Sequence, residues 1–276
     1  MIDMVSLGAL SVFVGFLGSL TGLGGASILI PILVLFGIPV KEAIASAMVA
    51  IIATSAGAAS SGVRERTANV RVAMFLETFT ILGAIAGATI TTVIPAIFLY
   101  FFFAGFLATS FLRVKRSLAG DFTPAATQDR FSRWLALEGG YYDRSSRRFC
   151  AYRVTNAAPG GLGMLVAGLA AGMLGIGAGA FKVTVQENVL RMPPKVASAT
   201  SNFIIGMTAL AGVSVYLFSG LLNVTLMAPM AVGTTVGAVI GGRMLNRLSN
   251  RLLRLLFYAI VAYLIVQMLY KGVTAL

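Results

Sequence analysis

The stretch that decides the fold runs from Gly15 to Met48 and reads GFLGSLTGLGGASILIPILVLFGIPVKEAIASAM. A related stretch runs from Gly168 to Asn202 and reads GLAAGMLGIGAGAFKVTVQENVLRMPPKVASATSN. The leading glycines of the two stretches coincide at an offset of 153 residues, and the Pro, Lys and Ala positions that follow coincide at 154. The longer offset persists beyond both stretches, so the self-match keeps its register over roughly 70 residues. The pattern predicts two copies of one unit.

The composition places the chain in a membrane. Its 276 residues are 58% hydrophobic and only 11% charged, with a mean hydropathy of +0.92. Soluble domains carry about 25% charged residues, and apolar runs of about 20 residues, long enough to cross a bilayer, fill most of this chain. The net charge of +12 is typical of basic cytoplasmic loops between membrane segments, so no nucleic-acid partner is expected.

The lack of histidine and the presence of only one cysteine exclude most enzyme chemistry. The chain has no histidine and a single cysteine, Cys150. Zinc sites of Cys and His and thiolate-held clusters are therefore excluded, as is the most common general base. We expect neither an enzyme nor a bound cofactor or metal.

Each unit is predicted to contain five helices. The first unit has apolar segments at Met4–Leu20, Ala26–Phe36, Ala43–Ser61, Val72–Ile94 and Ala96–Leu112. The second has them at Gly160–Leu174, Ala180–Leu190, Val196–Ser219, Val224–Leu245 and Leu252–Tyr270. The second segment of each unit spans only about 16 Å at 1.5 Å per residue, against about 30 Å of hydrocarbon. It is either an arm of a re-entrant hairpin or a short tilted helix.

A basic loop separates the units, so that the chain divides into a first repeat (1–112), a loop (113–158) and a second repeat (159–276). The loop carries nine Arg or Lys residues and four acidic ones. Alternation in Trp134–Leu137 and Phe149–Val154, on either side of Gly139–Asp143, predicts a small two-stranded hairpin at the membrane surface. The alternative is a wholly disordered linker.

Charge predicts the topology. The loop is the most basic segment and should be cytoplasmic. The turn carrying Arg64 and Arg66 lies two helices earlier and should face the same side. Its counterpart in the second unit, Gly220–Asn223, is uncharged and should face outward. The two units are therefore predicted to be inverted, with both termini outside.

Inverted repeats joined to glycine-broken short helices are typical of secondary transporters. Helix N-termini exposed near the membrane midplane carry partial positive charge that suits an anion. The fold class predicted is an all-α polytopic membrane protein of two inverted repeats, whose short or re-entrant helices meet near the midplane. The candidate substrate-binding tips are Gly22, Gly24 and Gly25 in the first copy and Gly175, Gly177 and Gly179 in the second. Close helix packing is the alternative explanation of these glycines.

Neutral polar residues supply a second candidate group. Thr200, Ser201 and Asn202, with Ser46 at the matching place in the first copy, can donate hydrogen bonds to an anionic oxygen. Helix–helix hydrogen bonds are the simpler explanation.

Three ionisable residues lie within apolar segments and are candidates for coupling or charge attraction. Glu77 can carry a proton or can be merely interfacial. Lys182 can attract an anion or pair with Glu187, although residues at i and i+5 do not share a helix face.

The two glycine clusters, each followed by a proline and then by Lys41 or Lys195, resemble the TauE/SafE family of sulfite and organosulfonate exporters. The resemblance covers nearly the whole chain. The chain departs from the family pattern at Thr184, where the family has proline, at Ala26 and Ala178, which interrupt the usual triple glycine, and at Ser46-Ala47, where the family has Thr-Ser. It implies a transporter of small sulfur-containing anions.

The sequence therefore favours an integral protein of the cell (inner) membrane that exports sulfite or a short organosulfonate by alternating access. The expected partners are a small anionic substrate and the lipid bilayer, and a homo-oligomer is allowed. Two alternatives are a passive anion channel, although a ring of like charges is absent from the sequence, and a membrane scaffold that acts through the cytoplasmic loop.

Overall fold

The computed structural model describes residues 4–21, 25–64, 66–116, 128–143, 148–245, 262–263 and 265–274. The helices of the first repeat are α1 (Met4–Thr21), α2 (Ala26–Leu35), α3 (Val40–Arg64), α4 (Val70–Val93) and α5 (Ala96–Arg116). The loop contributes α6 (Arg130–Trp134), β1 (Glu138–Asp143) and β2 (Arg148–Arg153). The second repeat contributes α7 (Ala157–Leu174), α8 (Gly179–Asn188), α9 (Pro194–Phe218) and α10 (Val224–Leu245), and residues 265–274 are also helical.

The predicted class, an all-α polytopic membrane protein, is confirmed. Four helices in the described part of the chain are long and apolar enough to cross a bilayer: Val40–Gly57, Val70–Val93, Ala157–Leu174 and Pro194–Phe218. Shorter apolar helices lie at Met4–Leu17, Ala96–Phe106 and Val224–Ile240. Their residues are apolar all round rather than along one stripe, as expected where protein faces one side and lipid the other.

Helices at matching positions of the sequence self-match make matching contacts. Helix α4 packs along α7, and its counterpart α10 packs along α1. Both pairs depend on glycine: a Cβ on Gly83 or Gly87 would collide with the backbone of α7, and one on Gly237 with the backbone of α1. These three glycines therefore permit close approach of the paired helices. Helices α3 and α9 cross antiparallel at the centre, where Ser55 lies against Gly206 and Met48 against Gly212.

Helices α7 and α8 form a helical hairpin that enters and leaves at the same end of the bundle. At the open end of this hairpin, Thr155 N–H donates to the carbonyl of Leu190 at 3.2 Å, and the Asn156 amide donates to the carbonyl of Val189 at 3.2 Å. The chain reverses at Gly175 (φ +64°) and Gly177 (φ +68°), where a left-handed backbone favours glycine. Of the two arrangements that the sequence left open, the structure therefore has the re-entrant one in the second repeat.

In the first repeat, Gly25 precedes α2 and lies beside Val14 and Gly15, near the middle of α1. Helix α2 thus begins partway along α1 rather than at its end. Gly22 and Gly24 lie outside the described residues, so Gly25 is the only glycine of this predicted tip that the structure describes.

The loop contains an antiparallel two-stranded hairpin in which Tyr141 pairs with Cys150 and Tyr142 with Phe149. The first strand lies later than predicted. Trp134 ends α6, and the residues up to Leu137 form a turn with Ala136 at φ +49°. The reason is Asp129, which caps α6 by accepting a hydrogen bond from Ser132 N–H and so starts a helical turn.

The loop is fastened to one end of the bundle. The Asn69 amide donates to Tyr152 Oη at 2.8 Å, and Arg71 donates to the carbonyl of Ala136 at 3.2 Å. Asp129 accepts from Asn156 N–H at 2.7 Å, at the entrance to α7. Burial raises the pKa of Asp129, but the hydrogen bonds from Ser132 and Asn156 lower it more, so that this pKa lies below its usual value. The α3–α4 turn, the hairpin and the start of α7 therefore share one end of the molecule.

Candidate functional site

A buried cluster of Glu77, Lys182 and Thr208 joins three helices at the centre of the molecule. Glu77 comes from α4, Lys182 from α8 and Thr208 from α9. The Lys182 ammonium donates to Thr208 Oγ1 at 2.8 Å. Thr208 Oγ1 lies 3.2 Å from Glu77 Oε1 and 3.5 Å from Oε2. One hydroxyl therefore bridges a cation and a carboxylate.

The single proton of the Thr208 hydroxyl has two competing acceptors. One is Glu77, and the other is the carbonyl of Ile204 at 2.8 Å, one turn back along α9. A hydroxyl donates only one hydrogen bond at a time but accepts through its lone pairs. The bridge to Glu77 can therefore open by rotation of the hydroxyl, while the bond from Lys182 is kept.

The charges of Lys182 and Glu77 are almost wholly removed from solvent. Lys182 is 0% exposed and Glu77 is 3% exposed, and they are the only buried acidic or basic side chains in the described part of the chain. Burial of a single charge is strongly unfavourable, so each of the two stabilises the other. Removal of either one leaves an unpaired charge in a medium of low polarity.

Helix α8 adds positive potential at the same place. Lys182 lies in the first turn of α8, which contains no acidic residue and has no side-chain cap. The N-terminal N–H groups of a helix carry partial positive charge, so a cation there adds to the helix field instead of offsetting it. A single carboxylate, Glu77, faces both Lys182 and the N-terminus of α8. Positive potential is therefore in excess at this place, which is suited to binding an anion.

Gln186 lies one turn further along α8, on the same face as Lys182. Its side chain is completely buried, and neither its amide nitrogen nor its amide oxygen has a hydrogen-bond partner among the described residues. Buried amides in proteins are normally paired. An unpaired amide beside a buried cation offers N–H donors to a polar ligand.

This polar cluster has no equivalent in the first copy. At the offset of 153, Lys182 and Gln186 correspond to Leu29 and Leu33 of α2. At the offset of 154, Glu77 corresponds to Ala231 of α10, and Thr208 to Thr54. Thr54 bonds only to carbonyls of its own helix. The charged pair of this cluster therefore lies on α4 and α8, and its bridging hydroxyl on α9.

The glycine tip of the second copy lies at the centre, as its spacing predicted. A Cβ on Gly177 would lie 2.9 Å from Ile205 and 3.7 Å from Ile51, near the midpoints of α9 and α3. Gly175 lies against Ile44 of α3, and Gly179 begins α8. The N-terminus of α8 is thereby held inside the bundle, next to Lys182.

The neutral polar candidates are distributed over several places. Ser201 lies at the tip and donates to the carbonyl of Gly179 at 3.4 Å. Thr200 accepts from Asn69 N–H at 3.0 Å, which joins α9 to the start of α4. Ser46 is buried, and its hydroxyl has no partner in the described part of the chain. Asn202 is half-buried, and no described residue hydrogen-bonds to its side chain.

The charged candidates are only partly brought together. Glu77 and Lys182 meet through Thr208, whereas Glu187 is half-buried on α8. The Lys182 ammonium bonds to Thr208 and not to Glu187. Glu77 is buried among protein side chains. Sequence reasoning missed Thr208 and Gln186 as site residues; the signal for Gln186 was its spacing of four from Lys182.

Comparisons with known proteins identify the family of the chain. The family described as "Sulfite exporter TauE/SafE" matches residues 7–268. The chain is 25% identical over 226 residues to the "Probable membrane transporter protein YdhB" of Bacillus subtilis (strain 168), an alignment that covers 82% of each chain. No solved structure matches the chain. The match over nearly its whole length shows that this membrane-transport protein belongs to the TauE/SafE family.

Proposed function

We propose that this transporter exports sulfite or a short organosulfonate from the cytoplasm by alternating access. The observation that carries the proposal is Lys182, a completely buried cation in the uncapped first turn of α8, at the inner end of the α7–α8 hairpin. A small oxyanion would receive charge from Lys182, N–H groups from the start of α8 and an amide from Gln186. The description of the family as sulfite exporter supports this substrate class.

The remaining binding residues are assigned in the same proposal. Ser201, Asn202 and Thr200 of α9 supply neutral donors on the substrate pathway, and Ser46 supplies one from α3. The glycines at both tips, namely Gly22, Gly24, Gly25, Gly175, Gly177 and Gly179, let the backbone approach the substrate. Glu187 lies near the C-terminal end of α8, at the open end of the α7–α8 hairpin, and acts at the entrance of the substrate pathway.

Glu77 is proposed as the resident counter-ion of Lys182. When the substrate anion arrives, it replaces the carboxylate as partner of the cation. The Thr208 hydroxyl turns to the carbonyl of Ile204. Glu77 takes up a proton from the aqueous phase and leaves the bridge as a neutral group. Intramembrane carboxylates that change partners in this way are typical of proton relays.

Alternating access needs two halves that can exchange conformations. The proposed inverted relation of repeats 1–112 and 159–276 is supported by the equivalent contacts of α4 with α7 and of α10 with α1. It is also supported by the antiparallel crossing of α3 and α9. The proposed topology puts the loop 113–158 in the cytoplasm and both termini outside.

Radiolabelled sulfite in proteoliposomes tests the proposal. We expect uptake to be accelerated by unlabelled sulfite on the opposite side, because an alternating-access carrier exchanges substrate, whereas a passive channel would not give this acceleration. Lys182→Met should abolish exchange, and the matched variant Lys195→Met, at an exposed lysine of α9, should retain it.

The outcomes separate the parts of the proposal. Glu77→Gln should retain exchange but lose net transport driven by a pH gradient. Failure of the wild-type protein to move any sulfur oxyanion in either direction would refute the proposed substrate. Full exchange by Lys182→Met would instead refute the proposed site.

A further inference from the structure

A row of aromatic rings leads from a half-buried flank of α4, where Phe79 lies against Gly161 of α7, to the loop. Phe79 and Phe75 of α4 contact each other edge-on with ring centroids 5.4 Å apart, and Phe75 contacts Phe131 of α6 at 6.2 Å. Phe131 stacks on Trp134 with centroids 6.1 Å apart and an interplanar angle of 23°. The four rings form one continuous apolar surface that joins a membrane-spanning helix to the hairpin region.

The outer end of this aromatic row is uncovered by protein. Trp134 is 78% exposed and Phe131 is 41% exposed. Val70 and Met74, on the first turns of α4, are also exposed. Phe75 lies about 7.5 Å along α4 from Val70 at 1.5 Å per residue, so the row lies where the apolar span Val70–Val93 begins. Tryptophan is enriched at this level because its ring is apolar and its N–H is polar.

Positive charge flanks the aromatic row. Arg71, Arg130 and Arg133 are exposed beside it. Each guanidinium has five N–H donors, and Arg71 and Arg133 use one each on the carbonyls of Ala136 and Gln128. Of the nearby acidic side chains, Asp129 is occupied by Ser132 and Asn156, and Glu138 is exposed on β1. Three arginines therefore outnumber the acidic groups that could neutralise them.

We propose that Trp134, Phe131, Arg130 and Arg133 form a binding site for anionic lipid headgroups, which fastens the loop to the bilayer surface. The two rings lie among the glycerol groups and upper acyl chains, and the guanidinium groups pair with lipid phosphates. The exposed apolar side chains of Val70 and Met74, which lie beside the row at the start of the apolar span of α4, favour lipid over a protein partner. The charge also fits, because anionic lipids of the cytoplasmic leaflet attract basic segments.

The wild-type protein contains its own reporter, because Trp134 is the single tryptophan of the chain. In liposomes that contain phosphatidylglycerol, we expect Trp134 emission to shift to shorter wavelength than in urea-unfolded protein. Phospholipids with brominated acyl chains should quench most of this emission, and acrylamide in the aqueous phase should quench little. Emission quenched by acrylamide as fully as in the unfolded protein, and unaffected by brominated lipid, would overturn the proposal.

Substitution of the arginines tests the headgroup part. The double variant Arg130→Gln/Arg133→Gln should lose quenching by brominated phosphatidylglycerol, while the control Arg148→Gln, at an exposed arginine of β2, should behave as wild type. Retention of full quenching by the double variant would overturn the role of the arginines. This fluorescence readout needs no transport, so it is independent of the proposed substrate.

Discussion

At the scale of single residues, the Thr208 hydroxyl holds the site together. It accepts from Lys182 and lies within bonding distance of Glu77, so one small group mediates between two buried charges. In a medium of low polarity such a bridge is strong when complete, and its loss is costly because it leaves charged groups unsatisfied.

Thr208→Val tests this bridge with almost no change of volume. The variant leaves Lys182 and Glu77 without their shared partner, so we expect destabilisation by about 1–3 kcal/mol. The measurement is the apparent midpoint of thermal unfolding in detergent. Thr208→Ser should stay close to wild type, because the hydroxyl is kept.

The matched control is Thr54→Val. Thr54 is the repeat equivalent of Thr208 but bonds only to the carbonyls of Ala50 and Ile51. We expect little loss of stability there. Equal losses for the two variants would mean that the bridging role adds nothing at Thr208.

At the scale of elements, the α4–α7 pair depends on a backbone approach that only glycine permits. A Cβ on Gly168 would collide with the backbone of Thr80, and one on Gly172 with that of Ala84. These contacts position Glu77, which lies one turn before Thr80 on α4.

Gly168→Ala should therefore separate the two helices. Overpacking of this kind costs about 1–3 kcal/mol, and the thermal midpoint and the exchange rate should fall together as Glu77 moves away from Thr208. Gly105→Ala in α5 is the control, because an added Cβ there meets no atom within 4 Å. Alanine also has a higher helix propensity than glycine, so we expect an unchanged or higher thermal midpoint for Gly105→Ala. A wild-type midpoint for Gly168→Ala would contradict this account of the packing.

At the scale of the whole molecule, several segments share one end of the helix bundle, so the proposed topology can be tested with one native residue. Cys150 is the single cysteine of the chain and lies on β2 of the hairpin. The α3–α4 turn and the start of α7 are fastened to this hairpin region by Asn69, Arg71 and Asn156. All three segments must therefore lie on one side of the membrane.

A membrane-impermeant maleimide should label Cys150 only after the cells are permeabilised. In a Cys150→Ser background, Ser219→Cys at the end of α9 should be labelled in intact cells, because α9 begins at the hairpin end and ends at the opposite one. Labelling of Cys150 in intact cells would reverse the orientation, and labelling of both positions from the same side would contradict the arrangement of α9.

The sequence alone determined the fold class, the limits of most helices and the family. Hydropathy is a local property, so the apolar segments could be identified one at a time. The self-match between the two halves of the sequence was visible because it needs no knowledge of contacts. Even the residues of the central cluster were partly found, because Glu77 and Lys182 are conspicuous in apolar segments.

Only the tertiary structure decided which of these residues meet. Glu77 and Thr208 are 131 positions apart, and their contact depends on how α4 packs on α9. A short apolar segment fits a tilted helix as well as a re-entrant arm, and the bonds of Thr155 and Asn156 to the end of α8 distinguish the two. The strand predicted at Trp134–Leu137 was wrong because an alternation over four residues also fits one helical turn, and the cap at Asp129 selects the turn. Local pattern specifies what each segment is, whereas its partners are chosen by the packing of the whole chain.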